Sequence, residues 1–141
     1  MKKARAREAL TILKRAGRRM TRVRRATVAA LSSGRPLSAA ELLRRLARAL
    51  PTVHKTTVYR ELSALSGEGV VQEVRFGDGA ARYELKGGHH HHVVCERCGD
   101  VADVEIPESF ESPARVSAGR SGFSVTRHAL EFFGLCRECR A

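Results

Sequence analysis

The chain has 141 residues, no Trp, two Tyr and five Phe, and carries 26 Lys/Arg against 15 Asp/Glu for a formal net charge of +11. That length gives one domain or two small ones, with cores filled by Ala, Leu and Val rather than by large aromatic anchors. No apolar run is long enough to span a membrane and no signal segment precedes the first helix, so a cytoplasmic protein without a membrane partner is expected.

The first predicted helix runs from near Arg5 to Ala16, with Leu10, Leu13 and Ile12 on its buried side, and Gly17 stops it. Thr21 is the N-cap of a second helix in which Val23, Thr27, Val28 and Leu31 keep helical spacing. Ser38 with Glu41 three residues on forms a capping box opening a third helix, which carries Leu42, Leu43, Leu46 and Leu50 up to Pro51. A fourth helix starts at Lys55. It places Val58, Leu62 and Leu65 on one face and Lys55, Thr56, Tyr59 and Arg60 on the other. Those four polar and aromatic side chains suit phosphates and base edges in a major groove. Val70–Phe76 and Ala81–Leu85, joined by Gly77-Asp78-Gly79, form a hairpin. Two helices, a turn, a polar-fronted helix and a hairpin describe a winged helix-turn-helix. The charge agrees. Residues 1–60 hold 17 Lys/Arg against Glu8 and Glu41, a balance of +15, whereas residues 61–141 hold 9 against 13, a balance of −4. Such asymmetry points to a polyanion-binding front half.

Lys86-Gly87-Gly88 reads as a hinge, giving a division at 1–86 and 87–141. Beyond it, four imidazoles, His89 to His92, run into a knuckle, Cys95-Glu96-Arg97-Cys98. A second knuckle, Cys136-Arg137-Glu138-Cys139, lies near the end of the sequence. Two Cys-x-x-Cys pairs fit one tetrahedral structural zinc site formed by Cys95, Cys98, Cys136 and Cys139. In a reducing compartment paired cysteines are metal ligands more often than disulfides. In an extended segment, His89 and His91 face one way and His90 and His92 the other, so one tract feeds two metal sites. Val101 to Ile106 forms a strand, and Phe123-Ser124-Val125 with Ala129 to Leu135 supply another strand or strand pair. Between them, Pro113 sits in the first turn of a short helix capped by Ser112.

Three classes of function compete for these features. A metal-dependent DNA-binding repressor uses all of them. A zinc-ribbon RNA-binding protein without a sensory role accounts for the charge and the cysteines, but needs neither the wing nor the two-faced histidine tract. A thiol oxidoreductase or zinc hydrolase needs an activated cysteine or an open zinc beside a general base. No nucleophile–base pattern stands out, so no enzyme is expected.

Thr57-Val58-Tyr59-Arg60, the wing, the His tract before Cys-x-x-Cys-Gly, Leu13-Lys14-Arg15-Ala16-Gly17 with Thr21, Leu37-Ser38-Ala39-Ala40-Glu41-Leu42 and Phe132-Phe133-Gly134-Leu135-Cys136 together resemble the ferric uptake regulator family of metal-responsive repressors. The resemblance implies an α+β chain with an N-terminal winged-helix DNA reader and a C-terminal α/β dimerisation domain holding the four-cysteine zinc. It also implies a homodimer on an AT-rich palindromic operator of double-stranded DNA, controlling metal-ion homeostasis. Arg19 matches a minor-groove contact, and Tyr59 and Arg60 match recognition-helix contacts. A dimerisation-domain metal site maps onto His89, His91, Glu111 and His128, and a sensory site onto Glu84, His90 and His92. Arg35-Pro36 stands where relatives supply a further ligand, for which His54 is the candidate substitute. His91 stands where many relatives have Asp. The nitrogen-rich shell suits Zn(II) or Fe(II) as the second, regulatory metal better than Mn(II).

Overall fold

A computed structural model of the chain describes residues 2–141. In order these form α1 (Lys2–Arg15), α2 (Arg22–Leu31), α3 (Ala39–Ala47), α4 (Lys55–Gly67), β1 (Val71–Arg75), β2 (Ala81–Leu85), β3 (His91–Cys95), β4 (Val101–Val104), α5 (Glu108–Gly119) and β5 (Glu131–Gly134). The chain divides into two units, one up to Gly88 and one from His89 onward.

Local chemistry sets the helix ends of the first unit. Gly17, at φ 67°, closes α1 with Arg18 N–H donating to the Leu13 carbonyl at 2.9 Å and Gly17 N–H to that of Lys14 at 3.0 Å. Thr21 Oγ1 accepts from Arg24 N–H at 3.1 Å and caps α2. Ser38 and Glu41 make both bonds of the capping box that opens α3. That helix stops at Ala47, short of Pro51, in a tightened turn where Ala49 N–H and Leu50 N–H both donate to the Leu46 carbonyl, at 3.1 and 2.8 Å.

The core of this unit gathers Leu13 from α1, Val28 and Leu31 from α2, Leu42 and Leu46 from α3, and Val58, Leu62 and Leu65 from α4. Leu43 packs only partly against it, and Ile12, expected inside, is 37% exposed. The buried stripe of α1 is Ala9 and Leu13, four residues apart, and Ile12 lies beside it. Leu62 is 1% exposed at the centre of this cluster. Leu62→Ala is expected to cost about 2–5 kcal/mol, measured as the drop in the urea midpoint of far-UV unfolding.

β1 and β2 pair antiparallel from Val71↔Leu85 to Arg75↔Ala81. Leu37, just ahead of α3, adds an isolated antiparallel bridge by exchanging backbone hydrogen bonds with Tyr83 at 2.9 and 2.8 Å. Arg82 forks onto Asp78 at 3.0 and 2.7 Å and lies 5.4 Å from the centre of the Phe76 ring, fixing the tip of the wing. The Arg82 hydrogen bond holds the exposed Asp78 carboxyl down at about 2.

In the second unit the strand order is β4-β3-β5. β3 runs antiparallel to β4 and parallel to β5, with Cys95 opposite Gly134. A parallel pair needs a crossover, which β4 and α5 supply. α5 begins at Glu108 rather than at the expected Ser112 cap. Pro107, at φ −59°, leads into it, and Glu108 and Glu111 in its first turn complement the helix dipole. Pro113 therefore falls inside the helix, where its lack of an N–H removes one ladder bond. Phe123-Ser124-Val125 is not a strand, and Phe123 is 75% exposed. A strand needs a neighbouring edge, and the ladders of this unit are β3 with β4 and β3 with β5. The buried apolar side chains of the unit, among the described residues, are Val94, Cys95 and Val101, while Phe110, Val116 and Phe133 face outward.

Candidate metal centres and nucleic-acid surface

The parallel pairing of β3 and β5 explains how two distant knuckles meet. Both strands point the same way and end together, so the turns that follow them leave the sheet at the same end. Gly99, at φ 72°, lets the first knuckle close with Gly99 N–H donating to the Cys95 carbonyl at 2.8 Å. The second closes with Cys139 N–H and Arg140 N–H both donating to the Cys136 carbonyl, at 3.1 and 3.0 Å. The Arg97 guanidinium donates to the Cys139 carbonyl and joins the two turns. The four sulfurs lie within 4.8 Å of one another.

Electrostatics at these sulfurs favours a cation. Cys136 N–H points at Cys95 Sγ from 3.3 Å, and this bond with one from the Cys98 backbone holds the Cys95 thiol down at about 6. Cys139, by contrast, is pushed up to about 12 by its hydrogen bond to the Cys136 sulfur and by burial. Four thiolates cannot share so small a volume unless a divalent ion neutralises them, and such an ion displaces the remaining protons. The four-cysteine cluster fits a structural zinc.

The alternation of β3 distributes the histidines. His91 is 1% and His92 8% exposed, on opposite faces of the strand. On the first face, Glu111 from α5 meets three imidazoles. Glu111 Oε1 lies 2.5 Å from His91 Nε2, while its Oε2 lies 3.5 Å from both His89 Nε2 and His128 Nε2. The two latter nitrogens are 3.1 Å apart. The hydrogen bond from His91, together with the charges of His89 and His128, holds the Glu111 carboxyl below its ordinary range. On the second face, His90 and His92 rings are 4.9 Å apart and His92 Nε2 is 3.8 Å from Asp103 Oδ1. Asp103 is a residue the sequence reading did not single out. It stands directly opposite His92 in the β3–β4 ladder, and directly opposed residues share a face.

Glu84 is buried near the end of β2, where Gln72 Nε2 donates to it at 2.6 Å. His54 is the exposed N-cap residue of α4, makes no capping bond, and belongs to no cluster of three or more metal-ligating side chains among the described residues.

The outer face of α4 presents Lys55, Thr56, Tyr59 and Arg60, all exposed, with the Lys55 ammonium 5.8 Å from the Tyr59 ring centre. Arg19 is exposed between α1 and α2. Its carbonyl accepts from Arg24 Nη1 at 2.8 Å, and Arg24 also grips Glu61 of α4 through two bonds of 2.6 and 3.1 Å. One partly buried guanidinium thus ties the Arg19 turn to α4. Sequence reasoning passed over it, because nothing in the spacing of Arg24 and Glu61 announces a contact between separate helices. No helix among the described residues is long and apolar enough to cross a membrane.

A winged helix in one unit and, in the other, a sheet that clusters cysteine, histidine and carboxylate side chains define a metal-binding, DNA-binding class of protein. Residues 15–133 match the family model described as "Ferric uptake regulator family". The peroxide-responsive repressor PerR of Staphylococcus aureus is 32% identical over 134 residues, covering 94% of this chain and 90% of that one. A zinc-bound manganese uptake regulator superposes with a TM-score of 0.78 at 28% identity, over 91% of this chain and 98% of its own. A zinc uptake regulator complexed with zinc and DNA superposes with a TM-score of 0.64 at 27% identity, over 99% and 95%. The chain belongs to the ferric uptake regulator family, and with it to the metal-dependent transcriptional regulators.

Proposed function

We propose that the chain is a metal-sensing repressor that binds an AT-rich palindromic operator as a homodimer in the cytoplasm and controls metal-ion homeostasis. The observation that carries this reading is the single strand β3, whose alternate histidines enter two ligand groups on opposite faces of one sheet. Cys95, Cys98, Cys136 and Cys139 hold a structural Zn(II). His89, Glu111 and His128, with His91, form a second site in the dimerisation domain. The sensory site takes Glu84 from the end of β2 and His90 and His92 from β3, to which Asp103 is added. The regulatory ion is Zn(II) or Fe(II), both of which suit imidazole ligands.

The DNA-facing set is Arg19, Lys55, Thr56, Tyr59 and Arg60, and the relative complexed with zinc and DNA supports it by analogy. Dimerisation is supported by the outward phenylalanines of the second unit and by the edge position of β5, since an apolar edge strand invites pairing. Control follows from chain connectivity. Glu84 precedes Lys86-Gly87-Gly88 and His90 follows it, so a metal held by both restricts the hinge. The ion biases the DNA-competent form only by as much as it prefers that form. His90→Ala is expected to abolish metal-stimulated operator binding, measured by fluorescence anisotropy under Zn(II) and Fe(II). Full stimulation in that variant overturns the switch. Unaltered stimulation in His54→Ala removes only His54 from it.

A further inference from the structure

The exposed turn that carries Arg19 is held to α4 by a side chain of α2. We infer that Arg24 is a positioning residue for DNA reading: it clamps the Arg19 backbone to Glu61, so that Arg19 and α4 meet DNA as one rigid unit, and does not itself touch the duplex. This rests on the reading of Arg19 and α4 as DNA contacts and goes beyond it.

Every nitrogen of the Arg24 guanidinium is engaged within the protein. Nε and Nη2 donate to Glu61 Oε1 and Oε2 at 2.6 and 3.1 Å, a two-pronged pair between α2 and α4, and Nη1 donates to the Arg19 carbonyl at 2.8 Å. The paired side chains are 14% and 11% exposed, largely withdrawn from solvent and from any phosphate. The Arg19 carbonyl also accepts from Thr21 N–H at 3.1 Å, which uses its second lone pair. Thr21 in turn caps α2 through Arg24 N–H. The backbone at Arg19 is thereby fixed from two sides while its side chain stays exposed.

Helix packing alone does not account for this arrangement. α2 and α4 already share one core, to which they give Val28, Leu31, Val58 and Leu62. An ion pair withdrawn from water recovers in Coulomb attraction about what it loses in hydration, so its net effect on stability is small. The bond from Nη1 adds nothing to the contact between helices. It reaches back to the turn before α2, whose residues 18–21 lie in no helix or strand. Arg18 makes a second tie, to Glu68 at the C-cap of α4, but its side chain is 57% exposed and such a pair is weak. A side chain in one groove and a helix in the next bind together only when their separation is set beforehand. Otherwise part of the binding free energy goes into ordering the turn.

The test is a double-mutant cycle on the zinc-loaded full chain. The probe is a duplex bearing an AT-rich palindrome that the unaltered protein selects from a random pool, compared with a shuffled duplex at one fixed salt concentration. Arg24→Lys keeps the charge but cannot form the fork and reach the Arg19 carbonyl at once. It should weaken binding to the selected duplex about three- to tenfold and leave the shuffled duplex within about twofold. Arg19→Ala should cost about tenfold in the unaltered chain and about twofold in Arg24→Lys, because a contact that is no longer positioned has little left to lose. Equal costs in the two backgrounds, or an equal loss of Arg24→Lys on both duplexes, overturn the inference. If Arg19→Ala changes nothing in the unaltered chain, Arg19 is no DNA contact and the underlying reading fails instead. Should Arg24→Lys not fold, Glu61→Gln, which gives up the carboxylate but keeps its shape, takes its place in the same cycle with the same deciding outcomes.

Discussion

Cys95→Ser is expected to release zinc and unfold the second unit while leaving the helical signal of the first intact. Buried apolar support inside that unit amounts to Val94, Val101 and Cys95 itself, too little to hold three strands and a helix in place. Ligation supplies the remainder, because a site with no preformed geometry converts its binding free energy into folding free energy. For structural zinc that is of order 10–16 kcal/mol at neutral pH. Cys95 is also the sulfur that the backbone N–H of Cys136 addresses, so its loss removes both a ligand and a link between the knuckles. Zinc should be measured by mass spectrometry and dimerisation by sedimentation. A folded, zinc-loaded Cys95→Ser dimer would refute the four-cysteine assignment. Because the thiols must shed protons to bind, zinc retention should weaken steadily as pH falls, with Cys139, the thiol pushed up to about 12, the first to compete for a proton.

DNA affinity should collapse with salt, by about 10³-fold or more between low and moderate ionic strength if six or more phosphates are neutralised. The reason is the balance of +15 in residues 1–60. Lysines and arginines that only meet phosphates contribute equally to every sequence, whereas Tyr59 and Arg60 stand exposed on the outer face of α4. Tyr59→Ala should therefore spare most of the salt slope and reduce discrimination between operator and random DNA by about 1–3 kcal/mol. Anisotropy titrations of both duplexes across salt separate the two effects. An equal loss on both DNAs removes Tyr59 from base reading.

How far the sequence revealed the fold depended on whether a feature was local. The capping box at Ser38 and Glu41 and the buried stripe of α4 are written within a few residues and stand in the structure as the spacing predicts. Ile12 misled because an apolar residue one step from the stripe still looks periodic. The start of α5 was missed because a proline inside a helix reads as its first turn, and Phe123-Ser124-Val125 because apolar residues suggest a strand whether or not an edge awaits them. The two faces of the histidine tract were legible through alternation alone. Asp103 was silent, since its place opposite His92 depends on β3–β4 register that no motif records. The Arg24–Glu61 contact was silent for the same reason: it belongs to tertiary packing.

The parallel pairing of β3 with β5 also orders events in time. A growing chain completes the first unit once β2 has emerged, and that unit needs no residue from beyond Gly88 to close its core. The second unit must wait. Its central strand receives its parallel neighbour only after β4 and α5 have been made, and its zinc site only when Cys139 has followed. During synthesis a basic, structured DNA reader therefore trails an unfinished sheet with open edges and free thiols. A zinc ion taken by the four cysteines would enter only at that point.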